Sequence, residues 1–394
     1  MTGYIGNLKY YIEEEISMSN FQDFAKQHNI SKLGFGLMRL PTLGADDKID
    51  IEATKAMVDA YMQAGHNYFD TAYGYHGGKS EEATREALVK RYPRDSYTLV
   101  TKLPAWFMEK PEDIERIFNE QLERCGVEYF DMYLLHALSH DVNDKHEKMG
   151  SYEFCKKMQE QGKIKLFGFS FHGTTEDMRN IMAKHHEKFD VVQLMLNYFD
   201  WHRGDYREQF EIVASYNKPV VCMEPVRGGI LARLPEDIGA MLTAVDPAAS
   251  HASWAMRWCA DRPEVINVLS GMSNMEQMQD NIAIIAQDKR LTADELALTE
   301  KVAKAMIDIP RVDCTDCKYC DKCPENIPIF DIFGHYNKFL ESRSHYAFRQ
   351  AYNPIGKAHN ASACTSCGVC VEVCPQKIDI PKKMAEIALL MDKE

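Results

Sequence analysis

Residues 97–138, YTLVTKLPAWFMEKPEDIERIFNEQLERCGVEYFDMYLLHAL, contain one complete strand–helix–strand unit. YTLVTKL (97–103) and DMYLLHAL (131–138) are short runs rich in apolar and β-branched residues. Between them, PEDIERIFNEQLERCG opens with Pro111, Glu112 and Asp113, which suit a helix start, and ends at Gly126. The alternation extends in both directions. Strand-like runs recur at LGFGLMRL (33–40), YFDTA (68–72), IKLFGFSF (164–171), DVVQLMLN (190–197), PVVCMEPV (219–226) and VINVLSGM (265–272). Amphipathic stretches separate them; IEATKAMVDAYMQAG puts Ile51, Met57, Val58 and Tyr61 near one face. Eight such units in roughly 250 residues match the size of a (β/α)8 barrel. The strands read as continuous apolar runs, as a parallel sheet covered on its outside requires. A doubly wound sheet is the competitor. For a dinucleotide it would carry a G-x-G-x-x-G turn after its first strand, whereas here Gly34-x-Gly36 lies inside a strand-like run.

The predicted fold class is therefore α/β, a TIM barrel over residues 31–290 followed by a small α-helical ferredoxin-like domain. Residues 1–30 read as a polar N-terminal extension. LTADELALTEKVAKAMID, within 291–310, reads as a helical connector, and 311–394 carry two cysteine runs. The first run is Cys314-x2-Cys317-x2-Cys320-x2-Cys323-Pro324. The second is Cys364-x2-Cys367-x2-Cys370-x3-Cys374-Pro375. Together they hold eight of the twelve cysteines. Thiolates at this spacing converge on a small inorganic core, and the fourth cysteine of such a run generally serves the other cluster. The spacing thus predicts two [4Fe–4S] clusters, on Cys314, Cys317, Cys320 and Cys374, and on Cys364, Cys367, Cys370 and Cys323. Zinc is the alternative, but four-thiolate zinc sites usually pair two separate C-x2-C halves. The first run ends one residue shorter than the usual C-x3-C-P pattern. The forty residues between the runs, with IFDIFGHYNKFLESRSHYAFRQAY read as helix, exceed the linker of a compact bacterial ferredoxin.

Formal net charge is −13 over 394 residues. No basic stripe stands out to displace phosphate counterions, which argues against a nucleic-acid partner, and the acidic balance argues against an anionic membrane surface. No apolar run approaches a spanning helix, and the N-terminal segment lacks the apolar core of a signal peptide. Cysteine-rich metal sites without a secretory signal point to a reducing cytoplasm.

In a barrel, chemistry sits at the C-terminal ends of the strands. Asp70 follows the second strand, with Tyr75 five residues on, in FDTAYGYHGGKSEE. Lys102 ends the third strand and His136 the fourth. These neighbouring strands can bring the four side chains to one mouth. A nearby ammonium stabilises a phenolate, so the set makes an acid of Tyr75, with Asp70 fixing Lys102 and His136 orienting a carbonyl oxygen. Taken singly, each residue also has an ordinary structural reading. Arg227-Gly228-Gly229 and Ser270-Gly271-Met272-Ser273 follow the last two strands, where barrels hold phosphate on backbone N–H groups.

With these pieces in place, the chain resembles the aldo/keto reductase family. The resemblance is carried by LGFGLMRLP, FDTAYGYHGGKSEEATREAL, LVTKLP, DMYLLHAL, GKIKLFGFS, VVQLMLN, EPVRGGIL and LSGMSNMEQMQDN, over about residues 30–290. It is closest to the branch that carries a C-terminal iron–sulfur module. The resemblance implies a catalytic tetrad of Asp70, Tyr75, Lys102 and His136, with Tyr75 rather than Tyr73 as proton donor. It implies a cofactor site of Ser170, Gln193, Met223, Pro225, Arg227, Gly228, Ser270, Gly271, Ser273, Gln277 and Asn281.

The chain departs from the family at several of these positions. The asparagine paired with the family's serine is Phe171 here, and the aromatic that stacks on nicotinamide is Met223. Gly271 and Gln277 stand where NADP-preferring members place a lysine and an arginine, so NADH is favoured over NADPH. A nicotinamide gives up two electrons as hydride, whereas a cluster takes one, and the usual splitter is a flavin. A flavin at the phosphate loops stays open. The expected function is an oxidoreductase that reduces a carbonyl or related unsaturated group of a small molecule, coupled to or stabilised by its clusters. The alternatives are a reductase fed by ferredoxin or another redox protein without nicotinamide, and an electron-transfer subunit whose barrel is a scaffold.

Overall fold

The computed structural model describes residues 20–44, 48–342 and 345–392. Eight parallel strands close into a barrel: β1 Leu33–Gly36, β2 Tyr68–Asp70, β3 Thr98–Leu103, β4 Phe130–Leu138, β5 Ile164–Phe171, β6 Val191–Met195, β7 Val220–Met223 and β8 Val265–Ser270. Each strand pairs with the next in sequence, and β8 closes on β1 through Leu33↔Val268 and Phe35↔Ser270. The pairings Asp70↔Val100 and Lys102↔Leu134 bring the ends of β2, β3 and β4 side by side.

Helices coat the outside. Helix α1, Ile51–Gln63, starts on the Asp50 carboxylate, which accepts from Ala53 N, and buries Met57, Val58 and Tyr61. Helix α2, Glu112–Cys125, begins with three acidic residues in its first turn and stops at Gly126, whose φ of 71° is a left-handed cap. Helix α3, Met275–Ala286, follows β8.

Two boundaries differ from the sequence expectation. Part of the expected extension is the barrel floor: residues 20–27 form a helix, and Phe21 and Ile30 are buried among the interior residues Tyr68, Val100, Met132 and Ile266. An open barrel end exposes its apolar filling, and this helix covers it. Residues 1–19 of that extension lie outside the described residues. The expected connector is also part of the coat. Helix α4, Ala293–Ile307, is opened by a capping box between Thr292 and Glu295. It buries Val302, Ala303 and Met306 in the barrel's own apolar core.

Residues 311 onward build a second core of their own, around Ile327, Ile332, Phe333, Phe348 and Met384. Its regular elements are helices: α5 Ile329–Ser342, α6 His345–Tyr352 and α7 Ile380–Asp392. Among the described residues no helix is long and apolar enough to cross a membrane.

Candidate active site

The four strand-end residues converge. Lys102 and Asp70 are each 2% exposed and lie 2.6 Å apart, Nζ to Oδ1. Lys102 Nζ also donates to Thr71 O at 2.8 Å and to Tyr75 Oη at 3.1 Å. All three ammonium protons are thereby used. The ammonium sits 4.7 Å from the centre of the Tyr75 ring. The rings of Tyr75 and His136 meet edge to face, 5.9 Å apart. Tyr73 points elsewhere and donates to Glu120 Oε2 at 2.7 Å, so it is not part of this group.

Burial is the first cause of every shift here. It pushes the Asp70 carboxyl up, against the pull of Lys102 and Gln193. It pushes the Tyr75 phenol well up, assisted by Asp70 and Glu224 and opposed by Tyr319 and Arg39. It drives His136 well below its ordinary range, helped by Lys102. The imidazole is therefore neutral, with its Nδ1 buried and unpartnered. A neutral histidine beside a phenol held by an ammonium can orient an acceptor oxygen and let the phenol give it a proton.

The residues expected to bind a nicotinamide lie at the strand ends and the turns that follow them, and several are held by internal hydrogen bonds. Ser170 Oγ accepts from Ala137 N at 2.8 Å, and Ala137 has φ 56°. The pairing of β4 with β5 shifts register between Leu135 and Leu138. Ser170 thus holds the bulge that follows His136. Gln193 Nε2 lies 3.2 Å from Asp70 Oδ2. Met223 ends β7 half-buried, packed on the barrel interior, and Pro225 is buried. Ser270 Oγ accepts from Asn281 Nδ2 at 2.8 Å, and Ser273 N donates to Gln277 Oε1 at 2.7 Å, tying the turn to α3.

The loop after β7 meets the cysteine module. Arg227 is 2% exposed, with Nε 2.8 Å from Asp200 Oδ1 and Nη2 3.7 Å from Asp313 Oδ1. Arg203 pairs with the same Asp313 oxygen. Gly228 has φ 63°, and a Cβ there would stand 2.5 Å from Thr315 O, so a side chain does not fit. Arg39, beyond β1, donates to Thr315 O at 2.8 Å and Asp316 O at 3.0 Å, and its side chain lies over Gly271. Gln376 Nε2 approaches Met195 Sδ at the end of β6, at 3.7 Å. The two cysteine runs therefore lie over the barrel mouth, with Tyr319 of the first run within electrostatic reach of Tyr75. Sequence reasoning missed Arg39, Glu224, Asp313 and Tyr319 as parts of this site.

The eight cysteines fall into two groups. Cys320 lies within electrostatic reach of Cys317, Cys314 and Cys374, and Cys370 within reach of Cys364, Cys323 and Cys367. Burial pushes the thiol of Cys314 up to about 11 and that of Cys317 to about 12. Cys323, Cys364, Cys367 and Cys370 line one small cavity of about 10 Å³, completed by apolar groups such as Ile327, Ile380 and Met384. Four thiols around an apolar void of this kind fit an iron–sulfur cluster, whose irons take thiolate ligands.

Comparison with known proteins agrees with both halves. The Aldo/keto reductase family model matches residues 32–304, and that of the 4Fe-4S dicluster domain matches residues 313–378. The chain is 24% identical over 308 residues to the uncharacterized oxidoreductase YqkF of Bacillus subtilis, covering 70% of this chain and 94% of that one. It is 24% identical over 291 residues to L-galactose dehydrogenase of Arabidopsis thaliana, covering 69% and 89%. Among solved structures, the holo form of aldo-keto reductase AKR11C1 from Bacillus halodurans superposes with a TM-score of 0.57 at 24% identity, covering 70% and 93%. An aldo-keto reductase from Klebsiella pneumoniae in complex with NADPH gives 0.56 at 23%, covering 70% and 91%. At that identity the two structures speak for the barrel fold, while the family match spans most of the chain. The protein is an oxidoreductase that belongs to the aldo/keto reductase family and carries a 4Fe-4S dicluster domain on its barrel.

Proposed function

We propose that this protein reduces a carbonyl, or a related unsaturated group, of a small molecule at the barrel mouth, with Tyr75 as the proton donor and without a nicotinamide in its turnover. Two clusters, ligated by Cys314, Cys317, Cys320 and Cys374 and by Cys323, Cys364, Cys367 and Cys370, would supply single electrons drawn from a ferredoxin or similar redox protein. One observation carries the choice of electron source. The loop after β7, where a family member would receive a dinucleotide phosphate, is filled by the first cysteine run: Thr315 against Gly228, Asp313 against Arg227. The Klebsiella pneumoniae relative binds NADPH; here the cationic groups at that place are already paired.

Reduction of a carbonyl to an alcohol consumes two electrons and two protons. Tyr75 would donate the proton that ends on oxygen, and solvent water the one that ends on carbon. Lys102 stabilises the resulting phenolate, and Asp70 holds Lys102 in place at 2.6 Å. His136 aims the substrate oxygen at the Tyr75 hydroxyl. Should a nicotinamide bind after all, the absence of a cation at Gly271 and Gln277 favours NADH. A flavin would face the same filled loop.

The test uses anaerobically purified, cluster-loaded protein. Reduced ferredoxin should bleach the cluster absorbance, and NADH or NADPH should not; bleaching by either nucleotide without another component would overturn the electron source. Tyr75→Phe should abolish turnover with the cluster spectrum intact. Turnover unchanged in that variant would remove Tyr75 from its role.

A further inference from the structure

The loop after β3 starts just past Lys102 and makes a single tight turn over Ala105–Phe107. Ala105 and Met108 are buried and anchor it on both sides. Between them, Trp106 and Phe107 are 47% and 38% exposed. Trp106 is the one exposed residue among the chain's four tryptophans. Two adjacent aromatic side chains left open beside convergent polar groups are the usual make-up of a small-molecule site.

Their position relates them to the chemistry. The Trp106 ring stands 4.8 Å from the His136 ring, tilted by 49°, and His136 in turn meets the Tyr75 ring at 5.9 Å. Phe107 lies 6.4 Å from Trp106 and 5.1 Å from Tyr73, edge on to the latter. Lys322 of the module stands 5.7 Å from the centre of the Phe107 ring. The pair thus forms a wall that runs from the polar group at the mouth out to solvent. A substrate oxygen held between His136 and Tyr75 leaves the rest of the molecule beside Trp106, within the separation at which rings stack or meet edge to face.

The supply of single electrons selects the same kind of molecule. Reduction to the alcohol takes two electrons and two protons. The first electron, with the proton from Tyr75, turns the carbonyl into a hydroxyl-bearing carbon radical. The second, with a proton from water, forms the C–H bond. An aryl ring or double bond in conjugation spreads the unpaired electron of the first stage, whereas an isolated carbonyl has nowhere to place it. We infer that Trp106 is a specificity-determining residue, and that the site takes planar, conjugated carbonyl compounds in preference to saturated ones. Trp106 stacks on the flat part of the substrate while His136 and Tyr75 hold its oxygen.

This inference rests on the proposed single-electron reduction, and its first test needs no electrons. Acetophenone and cyclohexyl methyl ketone match in carbon skeleton and differ in planarity and conjugation. Each is titrated into the oxidised, anaerobic holoprotein by ligand-observed NMR. Acetophenone should bind about three- to tenfold more tightly, the size of one aromatic contact beyond plain burial. Trp106→Ala should erase that difference by weakening acetophenone alone, and Trp106→Phe should restore most of it. Circular dichroism and cluster absorbance report the integrity of each variant; if Trp106→Ala is not intact, Trp106→Leu is titrated instead and must lose the preference in the same way. Equal affinity of the two ketones for wild type, or a ringless variant that keeps the preference or weakens both ketones alike, overturns the role of Trp106. With reduced ferredoxin, kcat/KM for acetophenone should exceed that for the saturated ketone by about tenfold or more; equal values overturn the substrate class. A binding preference that depends on Trp106, without ferredoxin-driven turnover of either ketone, would sink the electron source and leave the aromatic wall standing.

Discussion

Lys102→Met separates the structural role of the buried ion pair from its chemistry. Lys102 and Asp70 are each 2% exposed, and the ammonium makes three bonds, to Asp70, Thr71 O and Tyr75. Methionine matches the stem and removes the charge. Asp70 then keeps Gln193 Nε2, at 3.2 Å, as its remaining side-chain donor. Breaking one side of a buried pair costs about 3–5 kcal/mol, because the other charge stays in low dielectric. At about 2 °C per kcal/mol for a barrel of this size, the unfolding midpoint should fall by about 6–10 °C. The sign with pH follows from Asp70. Burial already raises its folded-state value above the ordinary 3.8, and losing Lys102 raises it further. The folded variant therefore binds a proton that the unfolded chain releases. The lost stability is regained below pH 3.8 and disappears as pH climbs through the raised folded value. Lys102→Met/Asp70→Asn removes both charges and should recover most of the midpoint while staying inactive. Anaerobic thermal and urea unfolding of the holoproteins provide the measurement. A single variant within about 1 kcal/mol of wild type, or a double variant no more stable than the single, would refute the reasoning.

Gly228→Ala places a Cβ 2.5 Å from Thr315 O at φ 63°. The left-handed conformation alone costs about 1–2 kcal/mol, and the overlap pushes the first cysteine run off the mouth. Iron chelation from the module should accelerate with the barrel's circular dichroism unchanged; unaltered chelation would show that this contact does not hold the module down. His146 is buried and pushed down to about 3 from 6.5, with Nδ1 2.9 Å from Ser151 Oγ. His172 is pushed down to about 4, also by burial. Both are neutral when folded, so the unfolded chain takes up protons first as pH falls below 6.5. Stability should drop by up to ~1.4 kcal/mol per pH unit per group through that window, and His146→Gln should flatten the slope. Equal slopes in variant and wild type would count against the buried-histidine account.

The periodic part of this fold was readable in the sequence. Strands such as TLVTKL and VVQLM are buried along their whole length, so they leave continuous apolar runs. Helix α2 announces both ends through Glu112, Asp113 and Gly126. The convergence of Asp70, Tyr75, Lys102 and His136 was readable for the same reason, since a strand-end position fixes where a side chain points. Contacts between sequence-distant loops left no such trace. Arg227 reads as a phosphate ligand from its place after β7, yet its partners are Asp200 and Asp313. Asp313 is eighty-six residues away, and no periodicity links the two. Tyr319 looks like filler between cysteines because the spacing specifies ligands and leaves spacer side chains free. α4 read as a connector because its apolar face, Val302 and Met306, says that it packs but not on what.

The charges at the interface bear on whether hydride and single electrons can serve one site in turn. A pyrophosphate entering the loop after β7 needs donors and cations. Arg227 and Arg203 already share Asp313, and Arg227 also holds Asp200. The incoming anion would have to displace Asp313, and with it the run that carries Cys314 and Tyr319. Dinucleotide binding is then linked to undocking of the module, and each weakens the other by the same factor. On this reading a docked module leaves no loop for the nicotinamide. On the proposed function the two electron sources are then alternatives at this mouth, and the paired state of Arg227 favours the clusters.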